Sequence, residues 1–512
     1  MKRILIISAL GISLVACKKQ LVNTTPVDDV SKSHKTSVNT IGKIYYVDST
    51  GSDTNDGLST LTPWKSIDKV NSITFSPGDQ ILFKCGNSWS GQLHPRGSGA
   101  SGTPIVIDQY GTGNKPVIRG PGTKSSAGVL LYNQSYWEIN NLEVTNYYSG
   151  GDTLLRGIFV TNTNLTTKAN YIHINNCYVH DVNAYGYAAS PTLYSKLTGG
   201  IILYGYFDDL QVRKCHVANC TVEGLRTLPY PSGTGLSTNV KFISNTIENI
   251  YGDGIVLSTV SAGLIDSNVV KNACMSNDQD YAGCWTYHSQ NSIISHNEVY
   301  NLAGGRGDGE AFDADENTDG DIYEYNYTHD NANGFMEFMP SAANIIVRYN
   351  VSVNDCKAGV RLFNYLPSTT SNSLYNNVWY ITNNMSKLID CYSAAGFNGT
   401  LKNNILFCTG TVTKFCKSSA GTSSTCLNNC FYPGSITSVN GPVGTVSGNI
   451  TTNPSFVNAG FHSVGLSSGT AYKLNSGSPC LSAGVLVSGN GGYDYSHNLL
   501  TTGNPDMGAF QN

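Results

Sequence analysis

The chain has 512 residues and a formal net charge of −4, and only 13% of its residues are charged. That balance favours neither a nucleic-acid partner nor an acidic membrane surface. With 54 Gly and 31 Tyr, the composition suits many short strands and turns, so a single repetitive all-β body is expected instead of the two or three domains that length alone implies.

In chain order, the first segment reads as an export signal. Lys2 and Arg3 precede an apolar run from Ile4 to Ala16 that is too short to span a bilayer. It ends in Leu14-Val15-Ala16-Cys17, which resembles the lipobox of bacterial lipoproteins. The resemblance implies removal of residues 1–16 and lipidation of Cys17. Membrane association is then expected only through that anchor, at the outer membrane, the cell surface or the periplasm. Residues 17–42 are polar and read as a tether.

Residues 43–121 are expected to form an N-terminal cap and the first coils. Ile44–Val47 reads as a strand and Asp53–Gly57 as a loop. Pro63–Asn71 reads as a short amphipathic capping helix with Pro near its start. From 122 to 437 one motif recurs, alternating apolar residues followed by Asn. Examples are Trp137-Glu-Ile-Asn-Asn141, Ile172-His-Ile-Asn-Asn176, Phe242-Ile-Ser-Asn245 and Ile265-Asp-Ser-Asn268. The markers continue at Asn297, Asn326, Asn350, Asn377 and Asn404, spaced by 23 to 29 residues. One such period cannot bury its apolar face alone, but stacking the next period on it does so and pairs its backbone groups. The pattern predicts a parallel β-helix, a solenoid in which Asn fills tight corners and stacks coil on coil. Residues 438–512 are read as final coils and a C-terminal cap.

Of 14 cysteines, Cys17 is assigned to the lipid, and most of the other 13 are expected to be small core residues. Cys426 and Cys430, in a Gly/Ser-rich stretch, are the best candidates for a local bridge.

Several motifs together resemble bacterial right-handed parallel β-helix carbohydrate-active proteins, the pectate-lyase-like superfamily. They are Ile44-Tyr-Tyr-Val-Asp-Ser49, Asn55-Asp-Gly57, Pro63-Trp-Lys-Ser66, Phe75-Ser-Pro-Gly-Asp-Gln-Ile-Leu-Phe83, Asp313-Ala-Asp-Glu-Asn-Thr318 and Pro505-Asp-Met-Gly-Ala-Phe510. The resemblance covers nearly the whole folded chain. It implies a right-handed helix and a glycoside hydrolase or polysaccharide lyase type of activity. A fold shared by several chemistries does not choose among them.

Residues 308–321 hold seven acids in fourteen positions, in a chain otherwise poor in charge. In the strand at 312–315, Phe312 and Ala314 share one face, and Asp313 and Asp315 the other. Asn326 and Asn350 are 24 apart, and adding 24 to Asp313 gives Glu337; adding 24 again gives Arg361. Neighbouring coils lie about 4.8 Å apart, so two such carboxylates share protons, as a glycosidase requires. Asp313 is expected to be the nucleophile and Glu337 the general acid/base, with Asp315 in support. Arg361, Trp285, Tyr287, His288, Asp308, Glu310 and His329 are candidate substrate contacts, with Asp253 a weaker one. No cofactor is required. A calcium site at Asp315, Asn317 and Asp319 is the competing reading, because Asp315-Glu-Asn-Thr-Asp-Gly320 matches the start of an EF-hand-like loop, although position twelve is Asn326.

The leading expectation is a polysaccharide- or oligosaccharide-degrading glycoside hydrolase that acts as a monomer. The alternatives are a lyase using Lys357 or Arg361 as base, and a non-catalytic glycan-binding surface protein.

Overall fold

The computed structural model describes residues 42–148, 154–183, 195–231, 235–277, 279–366, 371–391, 396–418, 424–500 and 502–512. The signal segment, Cys17 and most of the tether lie outside these residues. So does most of 181–199.

The described strands form three long sheets of 16, 13 and 10 strands. Every strand-to-strand pairing in them is parallel, and each strand pairs with its counterpart one coil away. This is a parallel β-helix, as the repeat predicted. The first strand, Ile44–Val47, already pairs with Gln80–Lys84, so coil stacking starts at the head of the body. The capping helix is shorter than expected, Ile67–Asn71, because Ser66 takes the N-cap and its side chain accepts from the Lys69 N–H. Trp64 lies ahead of the helix and stacks on Tyr45 with ring centroids 4.6 Å apart.

Inward residues at every second strand position build one continuous apolar core along the axis. The corner between the first and second sheets carries an asparagine ladder, buried as far as Asn429: Asn245, Asn268, Asn297, Asn326, Asn350, Asn377, Asn404, Asn429 and the half-buried Asn449. Each of the first eight donates both its backbone N–H and its Nδ2 to the Oδ1 of the next, at 2.8–3.0 Å. The expectation that Asn occupies both the tight corner and the ladder needs correction. The left-handed position is one residue earlier, at Ser244, Ser267, His296, Tyr325, Tyr349, Asn376 and Asn403. Asn141 and Asn176 are such corner residues. In their coils the ladder position is held by Leu142 and Cys177, and the Cys215 N–H donates the first ladder bond, to the Asn245 Oδ1.

The C-terminal segment does more than close the last coil. Thr445–Ser447 ends the first sheet. The chain then packs Phe456, Tyr472, Leu474, Tyr495, Met507 and Phe510 on outward residues of the second sheet, including Val351, Val378, Tyr380 and Phe407. It also reaches the first sheet, where the Gly489 carbonyl accepts from Arg348 and the Asp506 and Gly508 carbonyls accept from Asn376. The outward apolar face of these coils is thereby covered. The remaining sheet, ten strands from Ala127–Tyr132 to Ile389–Cys391, carries the acids.

All 13 described cysteines are buried, as expected for core residues. Cys426 and Cys430 are not a bridging pair. Cys426 lies in the axial core, and Cys430 faces the C-terminal segment on the other side of the wall.

Because each ladder Oδ1 accepts two buried bonds, Asn326→Ala leaves the Asn297 N–H and Nδ2 without an acceptor. We expect a loss of about 3 kcal/mol, read as a lower urea midpoint with unchanged slope. Exposed Asn458→Ala should leave the midpoint unchanged.

Candidate active site

The third sheet fixes the site through its register. Trp285 pairs with Asp313, Asp313 with Glu337, Glu337 with Asn364, and Asn364 with Asp390. These side chains form one outward column, backed by the inward Phe312, Ala314, Met336 and Phe338. The predicted pairing of Asp313 with Glu337 therefore holds. The next step does not, because the following coil is three residues longer and puts Asn364, not Arg361, opposite Glu337. Asn364 was missed; counting by the 27-residue spacing of Asn350 and Asn377 finds it.

Arg361 still belongs to the site, by a different route. Its Nη2 lies 2.6 Å from Glu310 Oε1 and 3.6 Å from Asp308, and its Nε donates to the same Glu310 oxygen at 3.0 Å. Two coils separate these partners. In the coil between them the chain passes through Gly334, at φ 137°, where a Cβ would meet the Leu362 carbonyl at 2.7 Å. Asp308, Glu310 and Glu337 present carboxylate oxygens within 4.8 Å of one another. The guanidinium supplies their counter-charge.

So many carboxylates on one dry floor cannot all ionise. Asp313 is held well above the usual carboxylate range, by burial first and then by Asp315 and Glu337. Glu337 is pushed up by burial and by Glu310 and Asp308, against the pull of Arg361 and of the amide that Asn364 donates to its Oε1. Burial raises Asp308 to about 7 and also raises Glu310 and Asp315. Asp313 Oδ1 is buried without a hydrogen-bond partner. Neither acid of the pair is solvated: Asp313 is 7% and Glu337 3% exposed.

Toward the N-terminal coils a second charged group was read only in part. Arg226 donates to Glu223 at 2.8 Å and to Asp253 at 3.5 Å, all three buried, and its guanidinium lies 5.1 Å from the Trp285 ring. Lys196 approaches the same ring at 5.4 Å. Trp285 is therefore packed between cations, and Tyr287, two residues on and half-buried, is the more open aromatic.

Other candidates are placed elsewhere. His329 sits on the second sheet, buried, bonded to Asp330 and Glu298 and stacked on Tyr300, because its strand belongs to the wall that the C-terminal segment covers. His288 turns into a left-handed corner at φ 48° and pairs with Asn317. Asp319 accepts from Asn344 one coil on. Asn317 and Asp319 are thus engaged in lateral contacts between coils, and the carboxylates that converge are Asp308, Glu310 and Glu337.

Comparison with known proteins first defines the class. A family model described as a right-handed β-helix region matches residues 117–299, so the helix has the expected hand. The lacto-N-biosidase of Bifidobacterium longum subsp. longum is 29% identical over 450 residues, 66% of this chain and 27% of that protein. The chain therefore spans about a quarter of that relative's length. The solved GH136 lacto-N-biosidase of Eubacterium ramulus superposes with a TM-score of 0.56 at 26% identity, over 65% of this chain and 64% of that one. The solved complex of XylC with xylose shares the fold alone, with a TM-score of 0.54, 11% identity, and 91% and 98% of the two chains covered.

An acid whose folded value is raised stabilises the fold fully below its unfolded value and loses that contribution as pH climbs through the folded value. For Asp308 the window runs from about 4 to about 7. Asp308→Asn should therefore flatten part of the fall in stability between about pH 4 and pH 7. The measurement is the difference in urea midpoint between wild type and variant across that range.

Proposed function

We propose that this protein is a glycoside hydrolase that cleaves an oligosaccharide or polysaccharide, as a monomer, with Asp313 and Glu337 as its reacting pair. The observation that carries the reading is the register of two buried outward carboxylates on adjacent strands. The similarity to lacto-N-biosidases supports the same class, and lacto-N-biosides are the first substrates to test.

The strand spacing of about 4.8 Å between the two residues favours a retaining pair, whose carboxyl groups stand roughly 5 Å apart. Asp313 acts as nucleophile in the state in which the proton of the coupled pair sits on Glu337 and Asp313 is ionised; its Oδ1 has no competing hydrogen bond. Glu337 starts protonated, oriented by the amide of Asn364. As Asp313 attacks the anomeric carbon, Glu337 gives its proton to the departing glycosidic oxygen. A covalent glycosyl ester forms on Asp313. Glu337, now ionised, takes a proton from water as the water oxygen attacks the same carbon, and Asp313 leaves as carboxylate. Asp315 tunes Asp313 by charge, and Tyr287 offers a ring face to sugar.

The lyase reading needs a free base, and neither expected residue is free. Arg361 is bound to Glu310, and Lys357 lies 3.5 Å from Asp330. No step calls for a resident metal, because Arg361 supplies the positive charge. Activity is therefore expected to survive a chelator. The lipobox supports an envelope location, with labelling by a radioactive fatty acid lost in Cys17→Ala.

Asp313→Asn and Glu337→Gln should each lower kcat by at least about a thousandfold with little change in Tm. Products should be reducing sugars without the ultraviolet absorbance of an unsaturated end. Near-wild-type rates in both variants would sink the assignment. Asn364→Ala should lower kcat more than it raises KM and shift the basic limb of the pH profile, since it removes the donor that pulls Glu337 down.

A further inference from the structure

Where the third sheet ends, at strand Ile389–Cys391, isolated bridges take the place of a strand ladder among the described residues, Met385 with Val412 and Ile389 with Cys416. Both Cys391 and Cys416 point into the wall and are buried, 3% and 5% exposed. Their Sγ atoms stand 2.9 Å apart, inside the ordinary contact distance of two sulfurs. The outward neighbours mark the same joint. Asp390 lies between Lys387 at 2.8 Å and Lys417 at 3.3 Å, and Asp390 continues the column that holds Asn364.

We propose that Cys391 and Cys416 are a disulfide site that staples the last strand of the third sheet to the coil beyond it. The inference rests on this joint and is independent of the glycosidase reading. The bond would tie an end that is paired to the next coil by isolated bridges instead of a strand ladder, and it would hold the Asp390 and Lys417 pair beside the column.

The chemistry needs a two-electron oxidant, and a peroxide suffices. Cys416 is the attacking sulfur, since the Cys391 S–H and the backbone N–H groups of Ser418, Phe397 and Lys417 pull its thiol down to about 7. Its thiolate attacks one peroxide oxygen, the O–O bond breaks, and a sulfenic acid and, after protonation, water result. The Cys391 sulfur then displaces the hydroxyl from the Cys416 sulfur, its own proton leaving with that oxygen as a second water. Two thiols lose two electrons and two protons, and one peroxide becomes two waters.

The test uses the full chain, reduced, desalted and treated with one equivalent of hydrogen peroxide. Remaining thiols are then alkylated in denaturant and the protein is digested with trypsin without reductant. Cleavage after Lys387, Lys402, Lys414 and Lys417 isolates each cysteine in its own peptide, 388–402 and 415–417. We expect these two peptides joined, two hydrogens lighter than their sum and separated by reductant. Oxidised protein should melt a few degrees above reduced protein, and Cys391→Ser should remove both the joined peptide and that difference. Recovery of both peptides alkylated, or of either cysteine joined elsewhere, would overturn the site. Equal melting of oxidised and reduced wild type would overturn its stapling role. If Cys391→Ser fails to fold, the wild-type peptide map alone decides.

Discussion

The asparagine ladder is the interaction on which the rest of this structure depends. Parallel coils of unequal length have no hairpin to fix their register, and a slip by one residue would turn every inward side chain outward. A buried amide that donates twice to the next coil's oxygen makes any slip costly, because two donors and an acceptor lose their partners together. From Asn245 to Asn449 that cost recurs at every coil. Loops of different length then bulge elsewhere while the corner stays aligned.

The site follows from that alignment. Asp313 meets Glu337 only because Asn326 meets Asn350. Once side by side on a wall with an apolar interior behind it, the two acids are short of water and close to Asp308 and Glu310. Proton sharing is the response of such a group to its surroundings, and one guanidinium, brought across Gly334, keeps the group from repelling itself apart. The proton sharing that the proposed catalysis needs and the loss of stability expected at higher pH have the same source.

The C-terminal segment completes the arrangement by subtraction. Its aromatic residues cover the second sheet, and its carbonyls reach the first. His329 illustrates the effect. Beside Asp330 it reads in sequence like an active-site residue, yet it lies under that cover and stacks on Tyr300. Arg361 shows the opposite error. Its place in the site was anticipated, but through a register that the longer coil breaks; it arrives by side-chain reach. Trp285, a candidate substrate contact by sequence, is flanked by Arg226 and Lys196. Sequence spacing counts residues along a coil and carries no information about how far a long side chain extends or what covers it.

The sequence alone determined the coil: apolar alternation, a recurring Asn and a spacing near 27 leave one way to bury the apolar face, namely stacking. It also determined that Asp313 and Glu337 belong together, since both sit a fixed distance from their own markers. Only the tertiary structure decided which acids converge, which cation neutralises them, which wall the C-terminal segment hides and which cysteines touch. Those outcomes depend on contacts between residues far apart in the chain, where loop lengths and side-chain reach, not periodicity, set the distance.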